Sequence, residues 1–338
     1  MITADSIEGT ESESVPSEDH SNRLKIWDAA EELTSSVSLD LCDLPTELLL
    51  EILCLAGSIS QATYRALLLT SKRIHELVRL ECIPFLPILI FKKKQLESFC
   101  SWLFHNEPIA NRVRYLWIVP DTSPRFSTHN LHLTAACMGF CPNIVSLACG
   151  AQELLCWERN LASFVSLPPK WPRFPIGHFR HPSLKHLTIM ENCDWVPVGS
   201  RLFSQIETLH VIGCRSPEFT FPCQGSISYH YPNLLEATFS LPKKANVLRP
   251  DMQFLMRSPK LKRAAFVTRQ RLEPLVATLF NDILNLTIGS RFALVHRPKR
   301  WTEMKMWQTK LADAECVWKL LRTQDQTEDV EVIDIPEH

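Results

Sequence analysis

Residues 182–190 read Pro-Ser-Leu-Lys-His-Leu-Thr-Ile-Met, and the rest of the chain is best approached from them. Leu184, Leu187 and Ile189 set the pattern aliphatic-x-x-aliphatic-x-aliphatic. Leu187 and Ile189 stand two apart, so on a strand they point to one side, while His186, Thr188 and Met190 point to the other. The spacing returns at Val113/Leu116/Ile118, Ile144/Leu147/Cys149, Ile206/Leu209/Val211, Leu234/Ala237/Phe239, Leu261/Ala264/Phe266 and Ile283/Leu286/Ile288, with a weaker copy at Leu86/Leu89/Phe91. Successive first positions lie 22 to 40 residues apart. Pro142-Asn143, Pro182-Ser183 and Pro232-Asn233 each precede a copy, and Pro259-Lys260 is a variant. Such recurrence marks a repeat architecture, in which one unit cannot close a core and must bury its apolar side against its neighbours.

Between the strands lie helix-like stretches, among them LHLTAACMGF, RPDMQFLMRS and EPLVATLFN, and before the first full copy QLESFCSWLF reads as a helix. Residues 150–180, with LPPKWPRFPIGH, are expected to form a proline-rich loop. Past the last copy, Met304, Trp307, Leu311, Ala314, Trp318 and Leu321 line one stripe of an amphipathic helix, expected to cap the open end of the stack. The strand residues facing away from the core, including Tyr115, Trp117, His186, Thr188, Met190, His210, Thr238, Arg263 and Thr287, are expected at the surface.

Upstream of the repeats, residues 43–80 read as three short helices. Pro45 fits the first turn, Glu47 places an acid near the positive end of the helix dipole, and Gly57 suits a left-handed stop after Ala56. Leu48, Leu49, Ile52, Leu53, Leu55 and Ala56 cover nearly half the circumference of the first helix, more than one neighbour can bury. Tyr64, Leu67 and Leu68, then Ile74, Leu77 and Val78 behind a cap at Thr70 or Ser71, repeat the i, i+3, i+4 spacing. Three helices of this length are at the lower limit of independent stability, so the surplus apolar face calls for a further surface.

Leu44-Pro45-x-Glu47-Leu48-Leu49-x-x-Ile52-Leu53, followed by Leu69-x-Ser71-Lys72-Arg73-Ile74, resembles the F-box, the module by which adaptors dock onto the Skp subunit of Skp–cullin–F-box ubiquitin ligases. Ile74 stands where that family often carries tryptophan. The aliphatic pattern in turn resembles degenerate leucine-rich repeats, with Asn192 and Cys214 at the place where such repeats carry Asn or Cys. The combination implies an adaptor that binds Skp through Leu44, Pro45, Leu48, Leu49 and Ile52 and presents a protein client from its repeats, without catalysis of its own. A scaffold acting outside ubiquitination, or an unrelated α/β enzyme, are the alternatives.

The expected fold is therefore α/β: a disordered, Ser- and Glu-rich segment over 1–38, an F-box-like helical module over 39–82, an irregular leucine-rich-repeat solenoid over 83–297, a capping helix over 298–322 and an acidic tail over 323–338. An ordinary doubly wound α/β domain would usually carry a glycine-rich phosphate turn, and the nine glycines form none. A net charge of −1 argues against a nucleic-acid partner, and no apolar run is long enough to span a bilayer. Twelve scattered cysteines without a secretory signal read as reduced thiols of a cytoplasmic or nuclear protein. His129, His132, Cys137 and Cys141 are the nearest approach to a metal set, but the spacing lacks CxxC; no metal and no cofactor is expected. GxSxG, P-loop, HExxH and GxGxxG motifs are absent.

Overall fold

The computed structural model describes residues 41–119, 128–154, 181–190, 203–212, 231–240, 260–268, 292–298, 300–317 and 319–320. The expectations for residues 1–38, the loop after 154, Asn192, Cys214, the helices near 249–258 and 273–281, the copy at Ile283/Leu286/Ile288 with Thr287, Trp318, Leu321 and the acidic tail fall outside them. The chain divides into two compact units, Met1–Leu49 and Leu50–His338.

The first unit's described residues are a 3-10 turn, Leu41–Asp43, and the opening of helix α1, Thr46–Ile59. Contrary to the expected stop, α1 continues through Gly57, where a methyl group would lie 3.4 Å from Cys82 Cβ, an ordinary contact. Ser60 separates α1 from α2, Gln61–Thr70, and caps α2 by accepting from the Thr63 amide at 3.0 Å. Ser71 caps α3, Lys72–Glu81, in the same way through Ile74 N, at 3.2 Å. Tyr64, Ile74 and Val78 are buried, and the Tyr64 hydroxyl donates to Arg79 O at 3.1 Å, locking α2 to α3.

From there the second unit becomes mixed α/β. Its parallel sheet has eight strands in strictly sequential order: β1 Pro87–Ile90, β2 Tyr115–Ile118, β3 Ser146–Gly150, β4 His186–Met190, β5 Thr208–Ile212, β6 Glu236–Ser240, β7 Arg263–Thr268 and β8 Phe292–His296. Parallel neighbours require a crossover each time. Helices α4, Lys93–His105, and α5, Glu107–Ala110, connect β1 to β2; α6, Thr128–Phe140, connects β2 to β3 and packs on α4.

The register turns the sequence pattern into columns. Leu116, Leu147, Leu187, Leu209, Ala237 and Ala264 are successive partners, as are Cys149, Ile189, Val211, Phe239 and Phe266. All are buried, as are the first positions Val113, Ile144, Leu184, Ile206, Leu234 and Leu261. Each unit is fastened to the last by one bifurcated carbonyl: Val145 O accepts from Lys185 N and His186 N, Lys185 O from Glu207 N and Thr208 N, and Glu207 O from Leu235 N and Glu236 N. The Pro-Asn turns add a side-chain bond, Asn143 Nδ2 to Asn111 O at 2.8 Å and Asn233 Nδ2 to Ser204 O at 2.7 Å.

Two sequence assignments need correction. In β1 it is Ile88 and Ile90 that pair with Leu116 and Ile118 and are buried, so the weak copy at Leu86/Leu89/Phe91 is one residue out of register; Phe91 is exposed. At the other edge, β8 pairs with β7. Helix α7, Glu303–Ala312, expected as an end cap, lies instead across the outward face of the strands.

Candidate functional site

Two features of the described chain stand out from an ordinary packed fold: the bare side of α1, and the way α7 closes over the sheet.

On α1, Ile52, Leu55 and Ile59 are 42%, 66% and 71% exposed. Their spacing of three and four puts them in one stripe, and Leu48, one turn earlier and in the first unit, is 51% exposed. Among the other residues expected at a Skp interface, Pro45 is exposed and Leu44 half-buried. Leu49, also expected there, is fully buried. Ile59 was missed because the helix was expected to end at Ala56; its spacing from Ile52 and Leu55 was the available signal.

On the sheet, Trp117, Thr188, Met190, His210 and Thr238 were expected at the surface and are buried. Tyr115, His186 and Arg263 are half-buried. The cover is α7. Trp307 meets Trp117 edge-on with ring centroids 5.3 Å apart and donates from Nε1 to Ser146 Oγ at 3.0 Å. Met304 and Leu311 join Trp307 against Ala148 and Met190. Met306, Cys316 and Val317 pack on Ala265, Val267 and Val295. The apolar side of α7 thus reaches from Trp117 on β2 to Val295 on β8, across the outward face of the strands.

The start of α7 is held by charge. Thr302 caps it by accepting from Lys305 N at 3.0 Å, and Glu303, in its first turn, accepts from Ser240 Oγ at 2.9 Å, lies 3.3 Å from His210 Nε2 and pairs with the buried Arg297 guanidinium. His210 Nδ1 in turn bonds Thr238 Oγ1 at 2.5 Å. Ser240, His210 and Glu303 have the residue types of a nucleophile triad but not its geometry. In a triad the hydroxyl and the carboxylate take opposite imidazole nitrogens. Here both meet Nε2, and the Ser240 hydroxyl is directed at the carboxylate. This cluster is a fastening.

Of the four residues that came nearest to a metal set in the sequence, Cys137 and Cys141 are fully buried, and burial pushes both thiols up from their ordinary range, the opposite of what a thiolate ligand needs. Cys100 Sγ donates to Leu133 O at 3.3 Å, tying α4 to α6. Among the described residues no group of three or more His, Cys, Asp and Glu is placed to hold a metal ion, and no helix is long and apolar enough to cross a membrane.

No protein-family model matches the chain, and no curated protein or solved structure is significantly similar to it.

Proposed function

We propose that the chain is a substrate-recognition adaptor of a Skp–cullin–F-box ubiquitin ligase. Ile52, extended by Leu55 and Ile59, docks the Skp subunit, as do Leu44, Pro45 and Leu48 of the first unit. The observation that carries this reading is the exposed aliphatic stripe of the second unit: Ile52, Leu55 and Ile59, held in water at helical spacing, are unfavourable unless another surface covers them. The F-box-like pattern LPxELLxxIL supplies the identity of that surface.

The sequential parallel order of the strands, with their columns of Leu, Ile and Val, supports reading the sheet as an irregular leucine-rich-repeat solenoid. In this reading the client is held near a thioester carried by another subunit, so the adaptor contributes proximity and no catalytic group. Because α7 covers the outward face of the strands, the client is engaged by the loops and rims of the repeats or by the outside of α7 itself.

Co-purification tests it. The parent chain should retain the Skp subunit, and Ile52→Asp should lose it, because an unpaired charge in a dry contact costs several kcal/mol, roughly a thousandfold in affinity. Retention of Skp by a folded Ile52→Asp variant, or its absence from the parent's complexes, would exclude the reading. Recovery of Skp without a cullin would instead favour a scaffold outside ubiquitination.

A further inference from the structure

Between α7 and the outward face of β3–β6 lies a cavity of about 480 Å³, within the range of small-molecule sites. One wall is apolar, formed by Met306, Leu311 and Val317. The other carries polar residues of the strands, and Lys310 of α7 also lines the cavity.

The charges around this cavity differ in how well they are hydrogen-bonded. Glu207 is answered by Lys185 Nζ at 2.8 Å. The Arg263 guanidinium is shared by two carboxylates, donating from Nε to Glu236 Oε1 at 2.8 Å and from Nη1 to Glu315 Oε2 at 2.8 Å, and Lys310 is the second cation of this group. Among the described residues the ion-pair partner of Lys310 Nζ is Glu236 Oε2, at 3.8 Å, beyond hydrogen-bond length, and the lysine side chain is 19% exposed. No hydrogen bond is formed by this ammonium among the described residues. Burial accordingly lowers the Lys310 pKa, with Glu236 opposing the shift. His186, which lines the same cavity, bonds Thr208 Oγ1 through Nδ1 at 2.8 Å, and its Nε2 forms no hydrogen bond among the described residues. Tyr115 also lines the cavity.

We propose that this cavity binds a small, largely apolar monocarboxylate, its carboxylate on Lys310 and His186 and its tail along Met306, Leu311 and Val317. A desolvated ammonium without a hydrogen bond is costly, and a carboxylate supplies the acceptor it lacks. One lysine beside one imidazole suits a carboxylate better than a phosphate, for which proteins assemble several converging donors. The site is independent of the adaptor reading. A ligand there bridges helix and sheet, so it clamps α7 in place.

The test uses the full chain with octanoate and 3-phenylpropionate as probes and 3-phenylpropanamide as the neutral control. Tryptophan fluorescence, sensitive here through Trp307, and Tm are the readouts. Both carboxylates should bind saturably and raise Tm, and the amide should bind at least tenfold more weakly. Lys310→Met, which keeps the length of the side chain, should weaken the carboxylates at least tenfold, while Lys319→Met, at an exposed site, should leave them unchanged. Should Lys310→Met fail to fold, Ala314→Phe decides: it fills the cavity from an exposed position, keeps Lys310, and should abolish binding. Absence of saturable binding by either carboxylate, equal binding of the amide, or unchanged affinity in folded Lys310→Met or Ala314→Phe overturns the proposal.

Discussion

At the scale of single residues, His181 has the most to say about solution behaviour. It is 4% exposed, at the turn leading into β4, and burial pulls its pKa down to about 4 against backbone hydrogen bonds at Cys141 and Pro142 that favour the charged form. A base with a depressed folded pKa stays neutral in the native state while the unfolded chain takes up a proton near pH 6.5. Its contribution is therefore intact above about pH 6.5 and is lost as pH falls toward 4, to a limit of ~3 kcal/mol. Urea unfolding between pH 7.5 and 4.5 should register the decline, and His181→Asn should flatten it; identical slopes in parent and variant would mean that His181 is not buried as described. Gly57 gives a second test. Inside a helix with room for a methyl group, Gly57→Ala should stabilise by about 0.5–1 kcal/mol in the same assay. A destabilised variant would restore the left-handed stop expected from the sequence.

At the scale of elements, α7 is the piece whose role changed most between sequence and structure. Trp307→Ala should cost about 3–5 kcal/mol, and Trp307→Phe, which keeps a ring against Trp117 but loses the bond to Ser146, about 1 kcal/mol. Near-parent Tm in Trp307→Ala would mean that α7 is not seated on the strands. Glu303→Ala strands the buried Arg297 charge and should cost about 3–5 kcal/mol, whereas adding Arg297→Met should recover part of the loss; additive losses would rule out the pair. The strands were legible because their signal is local: the period of two chooses a face, and recurrence chooses the neighbours. The β1 copy slipped because LPILIF is aliphatic at consecutive positions, so alternation alone does not choose between Leu89 and Ile88 or Ile90. For α7 the stripe says only that one side is apolar. Its resting place depends on Trp117, Ser146 and His210, distant residues that read individually as surface positions. The α1 stripe was readable from its excess of aliphatics, while the burial of Leu49 depends on contacts that helical periodicity alone does not specify.

At the scale of the whole molecule, α3 is tied to the strand region: Glu81 pairs with Arg112 Nη1 at 2.8 Å, and Ile83 and Leu86 are buried beyond it. Removal of residues 40–82 should therefore lower the Tm of the remaining strands, though no strand loses a neighbour; differential scanning calorimetry on the truncated chain measures the shift, and an unchanged Tm would mean that the helices add nothing to the sheet. A longer-range consequence follows from α7. The contact between Trp307 and Ser146 joins residues 161 positions apart, whereas neighbouring strands join residues a few tens apart. Strands can therefore pair one after another as the chain leaves the ribosome, but the face bearing Trp117, Met190 and Ile212 waits, uncovered, until residues 303–317 have emerged. A newly made chain passes through an interval with a complete sheet and an adhesive flank, when a chaperone has the most to hold and a premature stop codon past β8 would leave a product prone to clump.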